Sequence, residues 1–186
     1  MDTVGIVGLG VMGSNCAKKL MESGVPVAGY DPYPPAVKRA SEAGVSMCGS
    51  PAELAGKAGF ILMFVPGPAD TEKVVLGEGE LNEKVCGAGS SNEGTVVVNM
   101  STVDPGVNIR MGEALAPKGI DFVDAPVMGS PSGVGSWAFA LGGSDEALAK
   151  IKDVLLVLSG SEEKLFHIGP LGHGNKLKLL NNMMLG

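Results

Sequence analysis

Residues 4–13, Val-Gly-Ile-Val-Gly-Leu-Gly-Val-Met-Gly, carry the most specific chemical pattern in the chain. An apolar run feeds a Gly8-x-Gly10-x-x-Gly13 turn, and a helical pattern follows it. Each glycine has a mechanical task in gripping a pyrophosphate. Gly8 lets the chain leave the strand sharply, Gly10 keeps side-chain bulk away from the phosphates, and Gly13 lets the helix lie close to the strand. The unpaired N–H groups of the helix start, at the positive end of its dipole, then favour an anion. The candidate dinucleotide cradle is therefore Gly8, Leu9, Gly10, Val11, Met12 and Gly13. A glycine-rich turn of some other α/β protein is the alternative.

Asp31 lies 18 residues past Gly13, at the end of a second apolar run. A carboxylate there accepts hydrogen bonds from a ribose 2′-hydroxyl and repels a 2′-phosphate, which favours NAD over NADP. Pro32, Tyr33 and Pro34 follow it, with no adjacent arginine. Lys38 and Arg39 keep NADP as the lesser alternative. The other reading of Asp31 is a turn-forming carboxylate ahead of the prolines.

Two further groups can do chemistry. Ser101-Thr102-x-x-Pro105 follows a later apolar run, where hydroxyls at a strand's carboxyl end meet nicotinamide or substrate. It reads equally as a helix start capped by Thr102 or Asp104. Near the end of the chain, Gly172-x-Gly174 leads to Lys178 and Asn182, four residues apart and so on one helix face. Leu177, Leu179, Leu180 and Met183 are expected to bury much of this helix. Lys178 would then be partly desolvated, which lowers a lysine pKa. Such a lysine can protonate a carbonyl oxygen or deprotonate an alcohol, with Asn182 orienting the same oxygen. An ordinary solvated lysine is the alternative.

These residues need elements to position them, and the apolar pattern supplies alternating strands and helices. Val4–Val7, Val25–Tyr30, Phe60–Val65 and Thr95–Asn99 read as buried strands, with Asp121–Asp124, Trp137–Leu141 and Leu165–Ile168 as further ones. Helical patterns run from near Gly10 to Ser23, and over Pro34–Ala43, Pro51–Gly56, Ala69–Leu76, Pro105–Leu115, Asp145–Leu158 and Asn175–Leu185. Ser50 and Ser144 stand where caps belong. The alternation implies right-handed crossovers and a doubly wound, mostly parallel α/β sheet.

Composition narrows the class. The chain has 186 residues, 45% hydrophobic and only 4% aromatic, so its core must be aliphatic. That suits a parallel sheet covered by helices. A net charge of −6 gives no basic footprint for nucleic acid, and no Lys/Arg cluster suits a membrane surface. No apolar run reaches membrane-spanning length. Cys16, Cys48 and Cys86 have no metal-ligand spacing and read as reduced, packed thiols of a cytoplasmic protein. The N-terminus lacks a secretory-signal pattern.

The ordered motifs resemble the β-hydroxyacid dehydrogenases, the group of 3-hydroxyisobutyrate dehydrogenase, tartronate semialdehyde reductase and the NAD-binding domain of 6-phosphogluconate dehydrogenase. The matching runs are Gly8–Gly13, Ser101–Pro105, Asp124-Ala125-Pro126-Val127, and Gly172-His173-Gly174 through Lys178 to Asn182. The resemblance implies a Rossmann domain with NAD as cofactor and a small hydroxyacid or aldehyde acid as substrate. It implies Lys178 as general acid/base, Asn182 as a substrate-positioning residue, and Val65, Pro66 and Thr102 beside the cofactor.

Two departures bear on the substrate. The family continues Asp-Ala-Pro-Val with Ser-Gly-Gly, which grips the substrate carboxylate. Here Met128-Gly129-Ser130-Pro131-Ser132-Gly133 follows, and a thioether cannot donate a hydrogen bond. Gly129 and Ser130 are the candidates for that grip, with Ser132 as the alternative donor from a shifted position. The family also continues into a helical domain that closes the cleft and forms the dimer. Residues 1–174 are thus expected to be the dinucleotide domain, and 175–186 the truncated beginning of an interdomain helix, with a homo-oligomer when full length. Alternatives are a semialdehyde reductase of the same family, a non-catalytic dinucleotide-binding module, and an imine reductase, which Lys178 disfavours. An oxidative decarboxylase of a sugar acid phosphate would want an Arg/Lys cluster beside the motifs.

Overall fold

The computed structural model describes residues 2–76 and 94–185. The strands are β1 (Val4–Val7), β2 (Val27–Tyr30), β3 (Ser46–Met47), β4 (Phe60–Met63), β5 (Val96–Asn99), β6 (Asp121–Asp124), β7 (Val127–Met128), β8 (Ala138–Gly142) and β9 (Leu165–Gly169). The helices are α1 (Val11–Glu22), α2 (Pro34–Glu42), α3 (Pro51–Ala55), α4 (Pro68–Leu76), α5 (Pro105–Leu115), α6 (Asp145–Ser159) and α7 (His173–Leu185).

The strands form one sheet in the order β3-β2-β1-β4-β5-β6-β8-β7, with β9 beside β8. From β3 to β6 every pairing is parallel, β8 runs antiparallel to β6 and β7, and β9 is parallel to β8. This is the expected doubly wound, mostly parallel α/β sheet. The central strands β1, β2, β4 and β5 are buried on both faces, so they read as unbroken apolar runs, whereas β9 at the margin is largely exposed. Val4 and Ile6 point into a core layer with Leu20 of α1 and Ile151 of α6. Val7 points the other way, to Leu54 of α3 and Met111 of α5.

Register matters most for the site. Val7 pairs with Tyr30 and with Met63, Met63 with Asn99, and Asn99 with Asp124. These residues form a row along the carboxyl edge of the sheet. The turns that follow, beginning at Gly8, Asp31, Phe64, Met100 and Ala125, therefore emerge side by side. This edge is where ligands collect in open α/β sheets.

Several expectations needed adjustment. β3 and β7 are two residues each and carry too little pattern to be read from sequence. The last helix begins at His173 rather than Asn175. Its apolar residues do not bury it. Gly174 and Asn175 are buried, while Leu180 and Met183 are 57% and 79% exposed. The helix leans on the sheet through its first turn, and no described element covers its far side.

Cys16 and Cys48 are buried and unpaired, whereas Cys86 lies outside the described residues. No helix among the described residues is long and apolar enough to cross a membrane.

Candidate functional site

The glycine turn is shaped by contact. Gly8 sits at φ +89°, and a Cβ there would lie 2.1 Å from the Phe64 carbonyl oxygen. A Cβ on Gly13 would come within 1.9 Å of the Gly8 oxygen, so α1 could not approach the turn with any larger residue. Gly10 differs, because a Cβ there would meet nothing within 4 Å. It stands at the start of α1, where no side chain caps the helix and no acidic residue occupies the first turn. The first-turn N–H groups thus remain available for an anion.

A crevice runs across this turn. One part, about 380 Å³, is lined by Gly8, Gly10, Asp31, Tyr33, Val65 and Pro66 among others. The other, about 370 Å³, continues over Gly10, Val11, Met12 and Gly13. Its remaining lining includes Thr102, Val127 and Lys178. Gly10, Phe64, Val65 and Pro66 belong to both parts, so the turn forms their common floor. A wider hollow of about 610 Å³ lies at the opposite edge, around Thr3, Gly59 and Thr95 near the strand starts. None of the expected site residues reaches it.

Asp31 forms the turn ahead of the prolines and also braces the glycine loop. One carboxylate oxygen accepts the Tyr33 amide at 2.8 Å, which forms the turn, and the other accepts the Leu9 amide at 2.7 Å. Each oxygen has a second lone pair to offer. Leu9 contributes only backbone here, since its side chain is fully buried in the core.

The Ser101 segment also combines two roles. Asp104 is the cap of α5, accepting the Gly106 amide at 2.8 Å. The Ser101 hydroxyl accepts the Val65 amide at 2.9 Å, and its own amide donates to Asn99 Oδ1 at 3.0 Å. Ser101 thereby ties the Val65-Pro66 wall to the end of β5, while Thr102 lines the crevice.

Lys178 is half-buried and lines the crevice, and Asn182, one turn farther along α7, is exposed. Asn182, Gly129 and Ser130 line neither part of the crevice. The Ser130 loop is held from behind. The indole N–H of fully buried Trp137 donates to the Ser130 carbonyl at 2.7 Å, and the Ser130 and Ser132 hydroxyls pair at 3.3 Å.

Sequence reasoning assigned no role to Asp124 or Asn175. Asp124 is fully buried at the end of β6. Its carboxylate accepts the Gly172 amide at 2.7 Å and the Asn175 amide at 2.6 Å. Burial pushes this carboxyl above its ordinary value, and the Asn175 and Gly172 donors pull it back in part. The available signal was a carboxylate closing an apolar strand, because a buried charge there demands donors.

The residues present fit a dinucleotide. Open space faces Gly10, the start of α1 carries no competing acid, and a carboxylate anchored at Asp31 borders the same crevice.

Comparison with known proteins agrees with this geometry. A family described as the NAD binding domain of 6-phosphogluconate dehydrogenase matches residues 3–169. Over 98% of its length the chain is 32% identical to 2-(hydroxymethyl)glutarate dehydrogenase of Eubacterium barkeri, covering 58% of that protein. It is 33% identical to the mitochondrial 3-hydroxyisobutyrate dehydrogenase of Mus musculus, over 98% of this chain and 52% of that one. Among solved structures, a Mycobacterium tuberculosis 3-hydroxyisobutyrate dehydrogenase with L-serine matches at TM-score 0.87 and 27% identity. That match covers 100% of this chain and 60% of the other. The chain thus spans between 52% and 58% of the two curated relatives.

Proposed function

The chain belongs to the family of the NAD-binding domain of 6-phosphogluconate dehydrogenase, and on that premise we propose that it is the cofactor-binding part of an NAD-dependent oxidoreductase acting on a small β-hydroxyacid. The observation that carries this reading is the place of Lys178. Its side chain borders the same crevice as Gly10–Gly13 and Thr102.

The first turn of α1 would hold the pyrophosphate, Asp31 the adenosine ribose, and Val65, Pro66 and Thr102 the nicotinamide end. When bound, the cofactor supplies the acceptor or donor of hydride. The rest falls to side chains of this chain. In oxidation, the neutral amine of Lys178 takes the proton from the substrate hydroxyl. In reduction, its ammonium returns that proton to the carbonyl oxygen. Asp31 favours NAD over NADP, because its carboxylate would repel a 2′-phosphate.

Gly129, Ser130 and Asn182 are the substrate-side residues of this reading. None of the three lines the crevice, so their role rests on the family resemblance rather than on this geometry. The exposed Leu180 and Met183 side chains support a division into a dinucleotide domain, 1–174, and an interdomain helix from 175 that meets a further helical layer in a homo-oligomer. A cytoplasmic location goes with this reading.

A semialdehyde reductase is the same chemistry in the opposite direction. A non-catalytic dinucleotide-binding module is the second class. The observation favouring it is that Met128 replaces a hydroxyl donor while Ser130 faces Ser132 outside the crevice. Titration with NAD and NADP, followed by turnover of short hydroxyacids and aldehyde acids by wild type and Lys178→Ala, separates these readings. Binding without turnover would select the module.

A further inference from the structure

The most heavily bonded buried charge among the described residues lies outside the crevice lining. Asp124 closes β6 with no solvent exposure, and Asn175 in the first turn of α7 is equally buried. Asp124 Oδ1 accepts the Gly172 amide at 2.7 Å. Oδ2 accepts the Asn175 amide at 2.6 Å and the Asn175 side-chain N–H at 3.4 Å. Asn175 Oδ1 in turn accepts the Val103 amide at 2.9 Å. One joint therefore connects the end of β6, the start of α7 and the segment after β5.

Two glycines make room for this joint. A Cβ on Gly142 would lie 2.2 Å from Asp124 Oδ1, and a Cβ on Gly174 would lie 2.3 Å from the Ala140 oxygen. The helix start and strand β8 thus close on the carboxylate from both sides. The two backbone N–H bonds that it accepts, from Gly172 and Asn175, are short.

What the joint holds is telling. Val103 follows Thr102, and Lys178 lies three residues past Asn175, one helical turn farther on. Both Thr102 and Lys178 line the crevice. Beyond its first turn α7 is largely exposed, so the joint is its principal anchor to the sheet. We infer that Asp124 is a positioning residue, whose carboxylate, through Asn175 and Gly172, fixes where α7 delivers the Lys178 amine relative to Thr102 and the glycine turn. This rests on the proposed role of Lys178.

The test uses the full-length gene product, with NAD and 3-hydroxyisobutyrate as probes. The variants are Asp124→Asn, Asn175→Ala, Lys178→Ala and Asp124→Asn combined with Lys178→Ala. Asp124→Asn keeps the shape and removes the charge. It is expected to lower kcat by about 10²-fold, the cost of misplacing a reacting group by roughly 1 Å. NAD affinity should stay unchanged, because the glycine turn is untouched. In the Lys178→Ala background the same exchange should add nothing to the loss, since the positioned group is already gone.

A second arm needs no turnover. Amine-directed acylation, read by peptide mass spectrometry, compares half-buried Lys178 with exposed Lys176. Asp124→Asn or Asn175→Ala should speed labelling at Lys178 severalfold and leave Lys176 unchanged. Should Asp124→Asn fail to fold, Asn175→Ala carries both arms. Equal kcat losses in the two backgrounds, or unaltered Lys178 labelling, would overturn the inference. If wild type turns over no hydroxyacid, the proposed function fails, while labelling still decides whether the joint places Lys178.

Discussion

The Leu9 amide donates to Asp31 Oδ2 across 2.7 Å, which ties the glycine turn to the end of β2. The same carboxylate that would read the ribose thus also braces the loop that would hold the phosphates. Exchanging Asp31 for Asn should weaken NAD binding by roughly 1.5–3 kcal/mol, the usual size of a hydrogen bond to a charged group. NADP binding should fall less, so the preference narrows. Titration of wild type and Asp31→Asn with NAD and NADP, followed by the emission of Trp137, the single tryptophan of the chain, checks this. The Trp137 ring lies 6.3 Å from that of Phe64, which lines both parts of the crevice. An unchanged NAD/NADP ratio would remove Asp31 from the selectivity.

Gly10 and Gly13 should part company under the same substitution. A Cβ at Gly10 enters open space, so Gly10→Ala should fold with unchanged stability and lose NAD affinity. A Cβ at Gly13 collides with the Gly8 carbonyl, so Gly13→Ala should lose about 1–3 kcal/mol of stability by overpacking. Urea unfolding and NAD titration of the pair check this directly.

The Asp124 carboxyl gives stability a pH dependence with a defined sign. Burial holds it above its ordinary 3.8, so the folded chain binds this proton more tightly than the unfolded one. The associated stability is complete below 3.8 and is lost as pH rises through the raised folded value. Urea titrations from about pH 4 to about pH 7 should therefore show wild type losing stability relative to Asp124→Asn. Parallel curves for the two proteins would mean that this proton is not linked to folding.

Cys16 has no exposure, and burial pushes its thiol well up from the ordinary range. The reactive species is the thiolate, so a disulfide reagent should leave Cys16 untouched in the native protein. Modification should proceed only at the unfolding rate, which denaturant pulse experiments measure. Fast native labelling at Cys16 would show that α1 opens locally.

What the sequence displayed follows from range. The glycine turn, the apolar runs and the Ser144 and Ser50 caps are written in neighbouring residues, and they stand where the pattern put them. The two-residue strands Ser46–Met47 and Val127–Met128 have no period to read. Ser130 turns on a bond from Trp137, seven residues away in sequence, and no local rule announces that. The Asp124 joint spans 48 and 51 residues to Gly172 and Asn175, so its acceptor was visible but its donors were not. The far half of α7 shows the converse. Its apolar residues suggested burial, yet burial depends on what lies opposite.

The central claim is that Lys178 handles the proton of the substrate oxygen beside the glycine turn. Its most direct test is NADH formation from 3-hydroxyisobutyrate by the full-length protein, compared between wild type and Lys178→Ala at saturating NAD. The expected result is a fall in kcat of about 10²- to 10⁴-fold, the usual contribution of general acid–base catalysis, with NAD affinity intact. Undiminished turnover by Lys178→Ala would contradict it.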